Sequence, residues 1–296
     1  MLKFKEPVLD DISWVRKIFY SSNTFGSDNT FGNVFFWKDF TKIKILNHNG
    51  FILRKYVDGE EKYRFPVGFG DLKSALYDIL NDAKENNIQL IFGGITEEEK
   101  CQLETLMPDK FDYVEEKSKE DYIYKTKDLI NLTGKKYHSK RNHISKFNKL
   151  YSWEYEDINE NNINECKEFI DEWFSENIES KQKSILDEKK AIDLAFQNYE
   201  YFNLIGGLIR IDEKIAALTV AEKINDSIVD IHFEKALSRY EGLYSVINNE
   251  FAKRNLASYT YVNREEDMGI DGLRKAKKSY HPCRLLKRYE AVFKGV

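Results

Sequence analysis

Residues 259–289 form the stretch that most narrows the possible folds of this chain. A short β-rich run there is followed by an acidic cluster, a glycine-punctuated basic helix and a second strand-like run. Tyr259, Tyr261 and Val262 alternate with smaller or polar residues as in a strand, and five polar residues follow at 263–267. Because sheets keep many of their sites at the carboxyl ends of strands, this order predicts a functional site. The alternative is a solvated loop followed by an exposed basic helix.

Charge is unevenly distributed along the chain. Seven Lys/Arg and no acid occur from Leu273 to Arg288, and residues 131–150 hold six Lys/Arg and two His with no acid. Residues 154–193 hold thirteen acids against five bases, so that the net charge is only −4. This pattern disfavours a wholly basic nucleic-acid binder, and it fits a protein that holds one anionic ligand in a positive groove.

Length and composition favour two compact domains, which we place at 1–130 and 131–296. No window approaches the roughly 18 to 20 apolar residues of a membrane span, and the N-terminus has no apolar targeting segment. A cytoplasmic location is therefore expected. The three cysteines are isolated and the histidines His138 and His143 are five residues apart, so neither a disulfide framework nor a metal site is predicted. Oligomeric state is left open.

The first half of the chain predicts one α+β unit. An opening helix is expected over 7–22, with an apolar face at Ile12, Val15, Ile18 and Phe19. Further predictions are a three-strand antiparallel meander at 43–46, 51–57 and 63–67, a helix at 71–85, a strand at 89–92 ended by two glycines, and an edge strand at 122–125. Thr96 and Glu99 are predicted to form a capping box at the start of the next helix.

The second half repeats this order of elements. It predicts helices at 165–177 and 191–201, a meander at 202–211, 214–223 and 227–234, a helix at 242–254, a strand at 258–262, a helix at 269–277 and a last strand at 283–293.

Two long motifs carry a family resemblance. GKKYHSKRNHISKF at 134–147 and YVNREEDMGIDGLRKAKKSYHPCRLL at 261–286 resemble bacterial proteins related to the C-terminal domain of phosphatidylglycerol lysyltransferase. The order of elements resembles the GCN5-related N-acetyltransferase (GNAT) fold. The resemblance implies an α+β protein of two tandem GNAT-like domains, each with a mixed, mostly antiparallel sheet and flanking helices. It also implies an acyl- or aminoacyl-transferase. We expect no counterpart of the membrane-spanning portion of the lysyltransferase.

Acyl transfer needs a group that removes a proton and donors that stabilise an oxyanion. Asp230 and His232 alternate on one predicted strand, so Asp230 is expected to orient His232, whose near-neutral pKa would suit a general base. Glu266 is the third predicted catalytic residue. The predicted acceptor-binding residues are Asn263, Arg264, Glu265 and Asp267. The alternative assigns a structural hydrogen bond to His232 and solvated charge to the loop.

The donor is predicted from the cationic segments. Arg239 and Gly242 match the spacing of an acetyltransferase phosphate loop, but Tyr244 stands where a small residue usually admits the phosphate of coenzyme A. Aminoacyl-tRNA is therefore favoured over acyl-CoA, and no other cofactor is assigned. The remaining predicted phosphate contacts are Lys140, Arg141, Arg274, Lys275 and Lys278.

Two functions from different classes follow. The first is transfer of an acyl group from an activated donor to an amine or hydroxyl of a small molecule, a peptide or a lipid headgroup. The second is a non-catalytic GNAT-like module that binds an anionic small molecule, a nucleotide or tRNA.

Overall fold

The computed structural model describes residues 2–177 and 183–295. The chain divides into two compact units. One contains the residues up to Asp121, Glu266–Arg274 and the residues from Leu285; the other contains Tyr122–Glu265 and Lys275–Arg284. Each unit is thus assembled from separated pieces of chain. The domains predicted at 1–130 and 131–296 are single segments, and these boundaries stay a prediction.

Strands and helices alternate through both units. The strands are β1 (Lys44–His48), β2 (Phe51–Asp58), β3 (Glu60–Gly68), β4 (Ile91–Ile95), β5 (Phe111–Glu115), β6 (Asp121–Lys125), β7 (Trp153–Asp157), β8 (Ile205–Ile211), β9 (Lys214–Lys223), β10 (Ile228–Ala236), β11 (Tyr261–Asn263), β12 (Arg284–Leu286) and β13 (Tyr289–Phe293). The α-helices are α1 (Ile12–Ser21), α2 (Phe31–Phe36), α3 (Lys38–Thr41), α4 (Leu72–Glu85), α5 (Glu97–Leu106), α6 (Thr126–Asn131), α7 (His138–Leu150), α8 (Ile163–Asn177), α9 (Lys183–Gln197), α10 (Leu243–Asn255) and α11 (Asp271–Lys278).

The first unit is built on a six-stranded sheet in the order β1-β2-β3-β4-β13-β5. Strands β1, β2 and β3 form the predicted antiparallel meander, and β4 runs parallel to β3. Leu76 and Ile79 of α4 pack with Phe65 and Phe92 in the core of this unit. Burial of these apolar side chains supplies most of the driving force for the unit, because each is almost fully removed from water.

Helix ends in this unit follow the predicted sequence signals. Thr96 Oγ1 accepts the N–H of Glu99 and the Glu99 carboxylate accepts the N–H of Thr96, which confirms the capping box of α5. Ile12, Val15 and Phe19 of α1 are buried as predicted.

Three predictions about strands are wrong. Gly93 and Gly94 lie inside β4 and do not end it. The glycine at 93 serves close packing and not a turn, because a Cβ there would lie 2.1 Å from the hydroxyl oxygen of Tyr56. The segment predicted as an edge strand at 122–125 is β6, which lies between β12 and β11 in the other sheet. The last predicted strand is two strands in different sheets, β12 and β13. Pairing partners distant in sequence cannot be read from local alternation.

The second unit is built on a seven-stranded sheet in the order β12-β6-β11-β10-β9-β8-β7. The predicted meander is confirmed as antiparallel β8, β9 and β10, and β11 runs parallel to β10. Phe251 of α10 packs with Val229 and Ile231 on one face of the sheet. Helix α8 contacts β9 and β10, and its apolar residues Phe169, Ile170 and Phe174 are buried. Within the described residues, no helix is long and apolar enough to cross a membrane.

Candidate functional site

The two central strands of the second unit separate part of the way along their length. Strand β10 pairs with β11 at three positions, Ile228 with Tyr261, Val229 with Val262 and Asp230 with Asn263. Strand β11 ends at Asn263, whereas β10 continues to Ala236. The chain then turns, because Asn263 Oδ1 accepts the N–H of Glu265. A wedge therefore opens between β10 and the loop after β11, at the carboxyl end of both strands, where the sequence predicted a site.

A β-bulge at His232 sets which side chains face each side of this wedge. On β9, Ala221 pairs with Ile231 and Val220 with Phe233, so His232 is the extra residue. Asp230 and His232 contact one another on one face of the sheet. Glu234 lies on the other face, because the extra residue reverses the alternation after it. One group of polar side chains therefore lies beside the wedge on each face of the sheet.

The first group surrounds the imidazole of His232. Its Nε2 lies 3.2 Å from Glu222 Oε2, and its Nδ1 lies 3.3 Å from Glu265 Oε1 and 3.4 Å from Asp230 Oδ2. The side chains of Asp230, His232 and Glu222 are at most 2% exposed, whereas that of Glu265 is 19% exposed. Glu265 is therefore the member of this group that solvent reaches.

The surroundings of His232 favour its imidazolium form at neutral pH. Burial alone would lower its pKa, but the hydrogen bonds to Glu222 and Glu265 and the charge of Asp230 raise the pKa of His232 to about 10. This raised pKa does not fit the near-neutral value expected for a histidine base, because three carboxylates surround the ring. In this state both ring nitrogens donate hydrogen bonds.

The same atoms have the spacing of a possible metal site. One ligand atom each from Asp230, His232 and Glu265 lies within 4.8 Å of the others. A cation there would have to displace the proton that Nδ1 holds between the two carboxylates. The sequence predicted no metal site, since it could not show that Glu265 turns back toward β10.

The second group lies on the opposite face. Arg264 Nη2 donates to Glu234 Oε1 at 2.8 Å, and Asn248 Nδ2 of α10 donates to Glu234 Oε2 at 3.2 Å. The ammonium of Lys140 lies 3.9 Å from the ring centroid of Tyr280, and the guanidinium of Arg264 lies 4.9 Å from it. Burial, together with the charge of Arg264, lowers the pKa of Lys140 to about 8.

Several predicted phosphate-binding residues have structural partners. Arg239 forms ion pairs with Glu172 and Glu176 of α8, and Arg141 donates to the carbonyl oxygens of Leu132 and Gly134. Their predicted role in binding the donor is untested by these contacts.

Gly242 is the N-cap residue directly before α10 and has φ +93°, and a Cβ there would lie 2.9 Å from the carbonyl oxygen of His143 on α7. This glycine therefore permits the close approach of two helices.

The predicted loop residues fall in different units. Asn263, Arg264 and Glu265 belong to the second unit, whereas Glu266, Asp267 and Arg274 belong to the first. Asp267 accepts two hydrogen bonds from Arg274, of 2.8 and 3.0 Å, and Lys275 and Lys278 are exposed.

Sequence reasoning missed Glu222, Glu234, Asn248 and Tyr280. The available signal for Glu222 was a carboxylate that directly follows the nearly all-apolar run IAALTVA of β9, which marks buried charge.

The architecture defines the class of protein. In each unit an antiparallel meander is followed along the chain by a helix and then by a strand that pairs in parallel with the last strand of the meander, as in the GNAT fold. A tandem GNAT protein from the clavulanic acid biosynthesis pathway is 9% identical, with a TM-score of 0.51 covering 100% of this chain and 99% of that chain. The fold is thus that of a tandem GNAT protein.

The family is shown by a more specific comparison. The family described as phosphatidylglycerol lysyltransferase, C-terminal, matches residues 20–292, and the chain belongs to it. A protein of unknown function from Bacteroides thetaiotaomicron is 35% identical, with a TM-score of 0.95 over 99% of this chain and 100% of that chain. L-PGS from Bacillus licheniformis is 14% identical, with a TM-score of 0.70 over 99% of this chain and 94% of that chain, which shows a shared fold.

A curated relative matches part of the chain. An uncharacterised protein of Mycoplasmoides gallisepticum is 27% identical over 175 residues, which are 58% of this chain and 56% of that protein. The match thus spans about half the length of that relative.

Proposed function

We propose that the second unit transfers an acyl group, and specifically an aminoacyl group, from an activated donor to an amine or hydroxyl acceptor. The observation that carries this proposal is the wedge between β10 and the loop after β11, with His232 and its carboxylates on one face. Membership of the lysyltransferase C-terminal family supports it. The donor and the acceptor are part of the proposal.

The chemistry requires one proton transfer. The acceptor nitrogen or oxygen forms a bond to the carbonyl carbon of the donor, and the bond from that carbon to the donor's ester oxygen breaks. The proton of the acceptor ends on the released oxygen. Because His232 is already protonated, the proton acceptor in this proposal is Glu265, the most exposed carboxylate of the group. His232 and Asp230 position Glu265 through their contacts with it and with one another. Glu266 has no role in this scheme.

Aminoacyl-tRNA is the favoured donor. The start of α10, where an acetyltransferase would bind the pyrophosphate of acyl-CoA, packs against α7 at Gly242. The nearby Arg239 forms ion pairs with two glutamates, whose negative charge makes this position less favourable for a phosphate. Exposed Lys275 and Lys278 remain candidates for contacts with RNA phosphates. A cytoplasmic location, where charged tRNA is available, belongs to the same proposal.

Filter binding of a mixed pool of radiolabelled aminoacyl-tRNA across a salt series tests the donor, with acetyl-CoA as competitor. The proposal expects tRNA binding that weakens steeply with salt and resists acetyl-CoA. Absence of binding at low salt, or displacement by acetyl-CoA, would contradict aminoacyl-tRNA as donor.

Discharge of the same pool in the presence of amine acceptors then tests transfer. Asp230→Asn and Glu265→Gln should retain tRNA binding and lose transfer by about 10²-fold or more. Asp212→Asn, in the exposed turn between β8 and β9, is the matched control and should behave as the unchanged protein.

The non-catalytic alternative has one observation in its favour. The side chains of His232 and Glu222 are almost fully enclosed, as expected of a structural ion cluster. If the Glu265→Gln protein binds tRNA and the unchanged protein shows no transfer with any amine acceptor, the binding module is the better description.

A further inference from the structure

Two buried polar atoms beside the wedge have no hydrogen-bond partner among the described residues. One is Nη1 of Arg264, a donor, and the other is Oδ1 of Asn248, an acceptor. Another atom of each side chain, Arg264 Nη2 and Asn248 Nδ2, donates to the same carboxylate, that of Glu234. A buried donor or acceptor without a partner destabilises the protein, so two such atoms around one carboxylate indicate a site that a ligand completes.

A second cation adjoins this place. Lys140 is partly buried and contacts the ring of Tyr280, and the described part of the chain offers its ammonium no ion pair. Since Lys140 Nζ and Arg264 Cζ lie 3.9 and 4.9 Å from one ring centroid, the two cations are at most about 9 Å apart. Glu234 balances only one of them. Lys140, Arg264 and Glu234 together therefore carry a net positive charge in partly desolvated surroundings, which attracts an anion.

We propose that Lys140, Arg264 and Asn248 form a binding site for a phosphate monoester group. Phosphate oxygens accept from Arg264 Nη1 and from the Lys140 ammonium, and a protonated phosphate oxygen donates to Asn248 Oδ1. A diester or a carboxylate supplies the acceptors and lacks that donor. The side chain of Lys140 turns from the Tyr280 ring to the anion. This is possible because its ammonium contacts the ring and forms no ion pair among the described residues.

This site stands independently of acyl transfer. It predicts a ligand or an acceptor that carries a terminal phosphate, and its binding is measurable without any turnover. The lowered pKa of Lys140 agrees with it, because burial first and the charge of Arg264 second disfavour the ammonium. Near pH 8 a monoester is the dianion, which lacks the bond to Asn248, but its charge alone would raise that pKa and cause proton uptake.

Calorimetry with methyl phosphate, dimethyl phosphate and acetate tests the site in a buffer without phosphate. At about pH 5, below the second pKa of about 6 of a monoester, the two phosphates carry nearly equal charge. Methyl phosphate should bind at least about tenfold more tightly than dimethyl phosphate, because only it can donate to Asn248. Equal affinities would overturn the assignment of Asn248, and no binding of either phosphate would overturn the site.

Variants locate the binding. Lys140→Met and the conservative Arg264→Lys should each weaken methyl phosphate binding about tenfold or more, the latter by loss of the planar fork. Lys149→Met, an exposed lysine on the same helix, is the control and should have no effect. A Lys149→Met effect equal to that of Lys140→Met would show a general charge effect and refute the site. In parallel, ¹⁵N NMR of the Lys140 ammonium should show its pKa rising when methyl phosphate saturates the protein; an unchanged pKa would also refute it.

Discussion

Replacement of His232 by glutamine should make the stability of the second unit less dependent on pH. The pKa of His232 rises from 6.5 to about 10 on folding, despite burial, because three carboxylates surround it. Such a shift corresponds to ~5 kcal/mol of stability, since each pKa unit is worth about 1.4 kcal/mol. The folded state binds the additional proton, so this stability is complete below pH 6.5 and is lost as pH rises through 10.

The expected magnitude follows directly. Between pH 7 and pH 9 the free energy of unfolding of the unchanged protein should fall by about 3 kcal/mol more than that of His232→Gln. Urea unfolding at these two pH values measures it, in a background of Trp14→Phe and Trp37→Phe. The fluorescence then reports on Trp153 and Trp173, both in the second unit.

The control is His138→Gln, because His138 is exposed on α7. The free energy of unfolding of His138→Gln should differ from that of the unchanged protein by the same amount at pH 7 and at pH 9. If the difference for His232→Gln is equally independent of pH, the raised pKa is refuted. A ¹⁵N titration of the ring nitrogens with a midpoint near 6.5 would also refute it.

Three further predictions concern stability. Asp121→Ala should cost about 3 kcal/mol, because Asp121 accepts a 2.9 Å bond from buried Arg288, and urea unfolding of the first unit should show it. Thr96→Ala should cost about 1 kcal/mol by loss of the capping box, while Thr96→Ser should cost much less in the same assay. Gly242→Ala should cost about 1–3 kcal/mol, since the residue has φ +93° and its new Cβ would lie against His143; thermal unfolding with no loss of stability would contradict that.

The sequence alone determined most of the elements and their class. The meander of β1, β2 and β3 follows from alternating apolar residues and turn signals, and the cap at Thr96 follows from local hydrogen bonding. The sequence also predicted a site after the strand at 258–262, because polar residues crowd a strand end there, and that site stays a proposal. These features depend on interactions between residues close in sequence, so a local pattern is enough to predict them.

Only the tertiary structure decided which polar groups meet. Glu222 and Glu265 lie on different sides of His232 in sequence, and their convergence on its ring turns an expected neutral base into an imidazolium ion. Likewise, a bulge of one residue sends Glu234 to the other face, where it meets Arg264 and Asn248. Register and bulges depend on pairing between distant strands, and a pKa depends on the charges that this pairing assembles. That is why the sequence could name most of the charged residues of the site but not their partners or their protonation.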